Sequence, residues 1–170
     1  MSMIDNKVKW CLNKAEKEVK EQGKHRGLLK KTPSIDLAKA HLKKAKHNLQ
    51  AMIHLKKTEF SDWSASAGFY SIYHCLLAIL SKFGYESRNQ ECTFALIYQL
   101  IEGKKIKLDK ELIEEVHEMK LDVKHEEPTV IELREMGQYG TAFSIEDNSY
   151  DNLISIAQKV RDQTLEIIEE

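Results

Sequence analysis

Apolar residues recur along this chain at steps of three and four, the spacing of amphipathic helices, from one end to the other. Ile4, Val8, Cys11, Ala15 and Val19 form the first stripe and predict a helix over residues 3–22, ended by Gly23 and Gly27. A basic connection, KHRGLLKKTP at 24–33, follows, and Pro33 precedes Ser34, a candidate N-cap. The second stripe is Ala38, Leu42, Ala45, Leu49 and Met52, with lysines on the other face, and runs to about Lys57. Then the pattern changes. Trp63–Ser81 holds nineteen residues without a formal charge in a chain that is 31% charged. Charge is kept off a whole helix only where most of its circumference is buried. This segment is therefore the predicted central helix, capped by Ser61 or Asp62 and stopped at Gly84.

Ser87 or Asn89 starts a fourth helix carrying Ala95, Leu96, Leu100 and Ile101 to about Gly103. Asp109 caps a fifth, with Leu112, Val116, Met119 and Val123 inward. Between 124 and 145 Pro128 sets a break, Val130–Gly137 forms a short helix, and Gly137 and Gly140 loosen the chain around Tyr139. The last helix begins near Glu146, with Tyr150, Leu153, Ala157, Val160 and Thr164 on its stripe. No segment alternates as a strand does between turn signals. The predicted fold is all-α: an up-and-down helical bundle of four main helices with an added N-terminal helix. It divides into a helix with a basic linker (1–33) and the bundle proper (34–170).

Composition agrees with that picture. With 170 residues, two Pro and seven Gly, the chain fits one domain of long helices and few turns. Cys11, Cys75 and Cys92 are odd in number and far apart, with neither metal-ligand spacing nor a disulfide framework, so a reducing, cytoplasmic setting is expected. No export-signal pattern opens the chain. The uncharged stretch is near the lower length limit for a membrane span. Its serines, Gly68 and His74, and the polar remainder of the chain, favour burial by neighbouring helices, and no membrane is expected.

The net charge of −1 hides a division. Residues 1–60 hold 15 Lys/Arg against 6 Asp/Glu, while residues 61–170 hold 11 against 21. Such asymmetry marks either a basic surface for nucleic acid or an acidic partner, or basic and acidic helices packed together. The second is preferred, because the lysines are spread along helices without interleaved exposed aromatics.

Three segments carry a family resemblance: IDLAKAHLKKAKHNLQAM (35–52), DWSASAGFYSIYHCLLAIL (62–80) and FGYESRNQECT (83–93). They resemble the HEPN domain, a small helical-bundle family often encoded beside minimal nucleotidyltransferases. Phe69, Tyr70, Ser71, Ile72, Tyr73 and His74 stand where a subgroup has a Tyr-Tyr-Ala-Met-Phe-His type signature, and LREMGQYGTAF (133–143) resembles its Arg…Asp-Tyr segment. The resemblance covers most of residues 35–168. It implies a homodimer, and in many members a metal-independent ribonuclease whose motif is an Arg followed, after four to six residues, by a His. There His moves a proton near neutral pH and Arg stabilises charge on the phosphorane.

None of the four arginines (Arg26, Arg88, Arg134, Arg161) is followed by a His at that distance. Arg134 is followed instead by Glu135 and Tyr139, and a phenol of ordinary pKa is a poor base at pH 7. Arg88-Asn89 opens correctly but leads to Cys92, Thr93 and Phe94. Arg134 and Tyr139 remain the candidate catalytic pair, and Arg134, Tyr139, Arg88, Asn89, Tyr70 and His74 the candidate nucleotide- or RNA-binding set. Against these stand structural roles: Arg134 bonded to backbone carbonyls, Tyr139 packed on the last helix, Tyr70 and His74 in the core. Glu114-x-x-His117 and Asp122-x-x-His125 have the spacing of a bundle metal site but share one helix, and His47 and His54 lie too far apart for one ion, so no metal and no cofactor is expected. Phosphate-binding Gly-rich loops and a G-x-S-x-G elbow are absent from the sequence. The function expected is a non-catalytic HEPN-like protein binding a nucleotide, RNA or a nucleotidyltransferase, as half of a toxin–antitoxin or defence pair. An active ribonuclease with a rearranged site and a structural interaction module are the alternatives.

Overall fold

The computed structural model describes residues 1–117 and 128–170. Two helices form its centre. α2 (Ile35–Lys56) starts where Ser34 Oγ accepts the Leu37 N–H, and α3 (Ser64–Lys82) returns antiparallel beside it. Two serines of α3 are compatible with burial because each finds a carbonyl: Ser71 Oγ donates to Ala45 O on α2 at 2.8 Å, and Ser81 Oγ to Leu77 O at 2.9 Å. Gly68 lies where three helices meet. A Cβ there would fall 2.9 Å from both Met52 Sδ and Leu153 Cδ2, so a larger residue would require those side chains to shift.

The Leu153 side chain belongs to α7 (Asp147–Glu169), which buries Tyr150, Leu153, Ala157, Val160 and Thr164 as its stripe predicts. It runs parallel to α3. Lys82, the last residue of α3, donates to Ile167 O at the far end of α7, placing a cation on carbonyls that the helix leaves free. α4 (Gln90–Glu102) is capped by Asn89, whose Oδ1 accepts from Cys92 N at 3.0 Å. α1 (Met3–Gln22) packs Val8, Cys11 and Ala15 inward and lies against α4. α5 (Lys110–Val116) starts from Asp109, and α6 (Val130–Tyr139) from a reciprocal capping box of Thr129 and Glu132. The result is the all-α bundle expected.

Several expectations need correction. Neither Ser61 nor Asp62 caps α3 with its side chain; a 3₁₀ turn, Ser61–Trp63, leads into it. Two short strands occur: β1 (Leu28–Lys30) pairs antiparallel with β2 (Tyr85–Ser87). Three residues are too few to show alternation, and the partner lies far away in sequence. Cys11 and Cys92 are bonded to each other, because the inward faces of α1 and α4 bring two fully buried cysteines together. That removes free cysteines as a reason to expect a reducing compartment; Cys75 remains a buried thiol, pushed up to about 12 by burial. Met119 and Val123 lie outside the described residues. Among the described residues one stretch, Ser61–Lys82, is long and apolar enough to cross a membrane, but 67% of its most apolar window is buried inside the bundle, as in a core helix.

Candidate functional site

The motif segment sits on α6, which crosses α3 beside the 3₁₀ turn. Gly137 makes that crossing possible: a Cβ there would lie 2.6 Å from Asp62 O. On α6, residues five apart point about 140° away from each other. Arg134 accordingly turns inward and Tyr139 outward. The Arg134 guanidinium lies 4.5 Å from the centre of the Phe69 ring, with the side chain only 12% exposed, its Nε unbonded and the adjacent Glu135 carboxylate 3.7 Å away. Tyr139 is 78% exposed. Within the chain the two side chains point into different surroundings, and the idea that Tyr139 packs on the last helix is overturned.

Phe69 begins an aromatic relay. Its ring stacks on Tyr73 at 5.7 Å and meets Tyr70 edge-on at 5.1 Å. Tyr73 Oη is 3.0 Å from Thr93 Oγ1, and Thr93 donates within the Ser87–Asn89 turn, 2.7 Å to Ser87 Oγ. Burial raises the Tyr73 phenol above its ordinary value. Tyr73, outside the candidate set, is thus the residue that connects α3 to this turn. Tyr70 is exposed, so a core role for it is overturned. His74 faces α2, with its Nδ1 3.0 Å from His41 Nδ1, so one ring donates and the other accepts. Burial, then His41 and Lys44, lower His74 to about 4, and burial lowers His41 too.

Arg88 and Asn89 have local duties. Asn89 caps α4. Arg88 is anchored by its backbone N–H on Gly27 O, and its guanidinium lies 3.4 Å from Glu86, which also accepts from His25 at 2.7 Å. The His25 bond, ahead of Arg88, holds the Glu86 carboxyl below its ordinary value. His117 bonds Glu91 at 2.9 Å and stacks on Phe94, rather than joining Glu114; Asp122 and His125 lie outside the described residues. No three metal-ligating side chains converge among the described residues.

Between the 3₁₀ turn, α6 and the start of α7 lies a groove of about 530 Å³. Ala65, Leu133, Met136 and Ile145 line it, with Asp62 and Glu146 as its charged groups and no Lys or Arg among the described lining residues. Exposed Phe60, Trp63, Met136, Tyr139 and Phe143 lie on the same elements or the connection between them. A single sequence shows little of this groove, because residues about eighty positions apart build it.

A family model for the HEPN domain matches residues 38–168. The chain belongs to the HEPN family. A search of the curated proteins finds no match. HEPN domains are often linked to binding nucleotides or RNA, or to RNA cleavage, and they commonly dimerise. In this HEPN chain the match begins inside α2 and ends in the last turn of α7, so α1 and β1 lie outside it.

Proposed function

We propose that this HEPN protein is non-catalytic and works by binding, as a homodimer, a partner of the minimal-nucleotidyltransferase class. Such a pair would serve as a cytoplasmic two-gene toxin–antitoxin or defence system. The observation that carries this reading is the opposite orientation of Arg134 and Tyr139. A ribonuclease built on Arg134, Tyr139 and Arg88 needs these groups to converge on one phosphate. Arg134 instead lies against Phe69, and Arg88 against Glu86.

The groove favours a protein over a nucleotide. A phosphate placed there meets Asp62 and Glu146 without a compensating cation among the lining residues, which like-charge repulsion opposes. An apolar side chain flanked by a Lys or Arg suits both its floor and its rim. The exposed aromatics around it exceed scattered surface apolarity and are what partner interfaces use. The test is calorimetric titration of a minimal nucleotidyltransferase from the same organism into wild type and into Met136→Asp. Binding by wild type, weakened at least about tenfold in the variant, is expected for a central interface residue. Cleavage of single-stranded RNA by wild type in the presence of a chelator, abolished by Arg134→Ala, would overturn the non-catalytic reading.

A further inference from the structure

The outer face of α1 contradicts the expectation that the basic half of the chain lacks interleaved aromatics. Met3, Lys7, Trp10, Lys14 and Lys17 follow one another at steps of four, three, four and three, a single helical stripe on a different face from the buried Val8, Cys11 and Ala15. Trp10 is 51% exposed, and two ammonium groups flank it: Lys7 Nζ lies 4.9 Å and Lys14 Nζ 5.0 Å from the ring centre. Leaving an indole in water gives up the stabilisation its burial would bring, and nothing in the packing of α1 requires it there.

The surroundings are cationic. Residues 1–31 hold nine Lys/Arg against four Asp/Glu. Two of those carboxylates, Glu18 and Glu21, lie 3.9 and 3.8 Å from Lys14 and Lys17 in partly exposed pairs that exchange readily for a stronger anion. Beyond the C-terminus of α1, Lys24 and Arg26 continue the charge, and Arg88 is held beside them through its bond to Gly27.

We propose that this face binds single-stranded polynucleotide, an unpaired base stacking on Trp10 while Lys7, Lys14 and Lys17 neutralise phosphates on either side. The ligand chemistry follows from the combination. An exposed flat ring accepts a base face of any sequence, and flanking ammonium groups supply salt-sensitive affinity for the backbone. Steps of three and four residues advance roughly 4.5 and 6 Å along a helix, close to the reach of one nucleotide. A membrane surface does not fit, because an interfacial helix needs its apolar stripe free, and that of α1 is buried against α4. The site lies outside the matched HEPN range and is independent of the groove beside α6.

Fluorescence anisotropy with short labelled oligouridylate and oligothymidylate tests it, the two arms separating RNA from DNA. Wild type is expected to bind, with affinity falling as salt rises. Trp10→Ala should weaken binding about tenfold, the range of one base–aromatic stack. Trp10→Phe should retain most of it, and Lys7→Glu with Lys14→Glu should lower both affinity and salt slope. In a Trp63→Phe background, oligonucleotide should quench the remaining indole emission. The proposal is overturned by no binding at low salt, by unchanged binding by a folded Trp10→Ala, or by equal binding of duplex or polyglutamate, which would reassign the face to charge alone. Loss in Arg134→Ala without loss in Trp10→Ala would also overturn it and revive the motif position. Met136→Asp separates the two readings: it should leave oligonucleotide binding intact while breaking the partner complex.

Discussion

The motif segment on α6 and the outer face of α1 carry the same residue types, a cation and an aromatic, in opposite arrangements. On α6 they are five apart, so the helix sends Arg134 into the bundle and Tyr139 into solvent. On α1 they are three and four apart, so Lys7, Trp10 and Lys14 share one patch of surface. Helical phase, more than composition, decides whether two groups can act on one ligand. Within one chain the segment with the family's motif spacing turns its pair apart, and the segment outside the matched range keeps its cations and ring together.

The largest test of that contrast is Phe69→Ala. If Arg134 is structural, removing the ring that seats it should cost about 3–5 kcal/mol in denaturant unfolding, as large-to-small changes of buried aromatics do. A loss under about 1 kcal/mol would mean that the inward orientation of Arg134 is weakly held. Next is the tether of α1. Replacing Cys11 and Cys92 by Ser, or reducing the wild type, should remove about 2–4 kcal/mol, since the bond closes a long loop. If stability is unchanged, α1 is held by packing alone.

A pH scan gives an intermediate effect. His74 is lowered to about 4 in the folded chain from an ordinary value of 6.5. Between those values the unfolded chain binds a proton that the folded one refuses, so stability should be intact above about pH 6.5 and fall progressively toward pH 4. His74→Asn should flatten that part of the melting-temperature profile; an equally steep slope would assign it to other groups. The smallest effect belongs to Trp10→Ala, which should change stability by less than about 0.5 kcal/mol because the ring is a surface group. A larger loss would make Trp10 a packing residue and weaken its contrast with Arg134.

Much of the fold was legible because helix stripes and caps are local. The stripe from Tyr150 to Thr164, the Ser34 and Asp109 caps and the uncharged α3 stand where periodicity places them. What escaped is what joins distant segments. The β1–β2 pairing and the Cys11–Cys92 bond depend on how α1 docks against α4, and no spacing within either helix encodes that. The candidate site was legible only in part. Tyr73 rather than Tyr70 or His74 reaches the Ser87–Asn89 turn, because one step along α3 rotates a side chain by about 100°. The α1 face was readable all along, as lysines on either side of Trp10 at helical spacing, once the aromatic is placed on the same stripe as the charges.

The short pairing of β1 with β2 bears on how this protein is cut. A chain begun at Ser34 would contain all of the matched family range, yet β2 would stand as a bare edge, with its peptide groups open to the next molecule that offers a strand. The face of α4 that α1 covers would be stripped as well. Such a fragment is expected to stick to itself rather than to behave as a small soluble bundle, because it would lack the α1 and β1 that lie outside the family match.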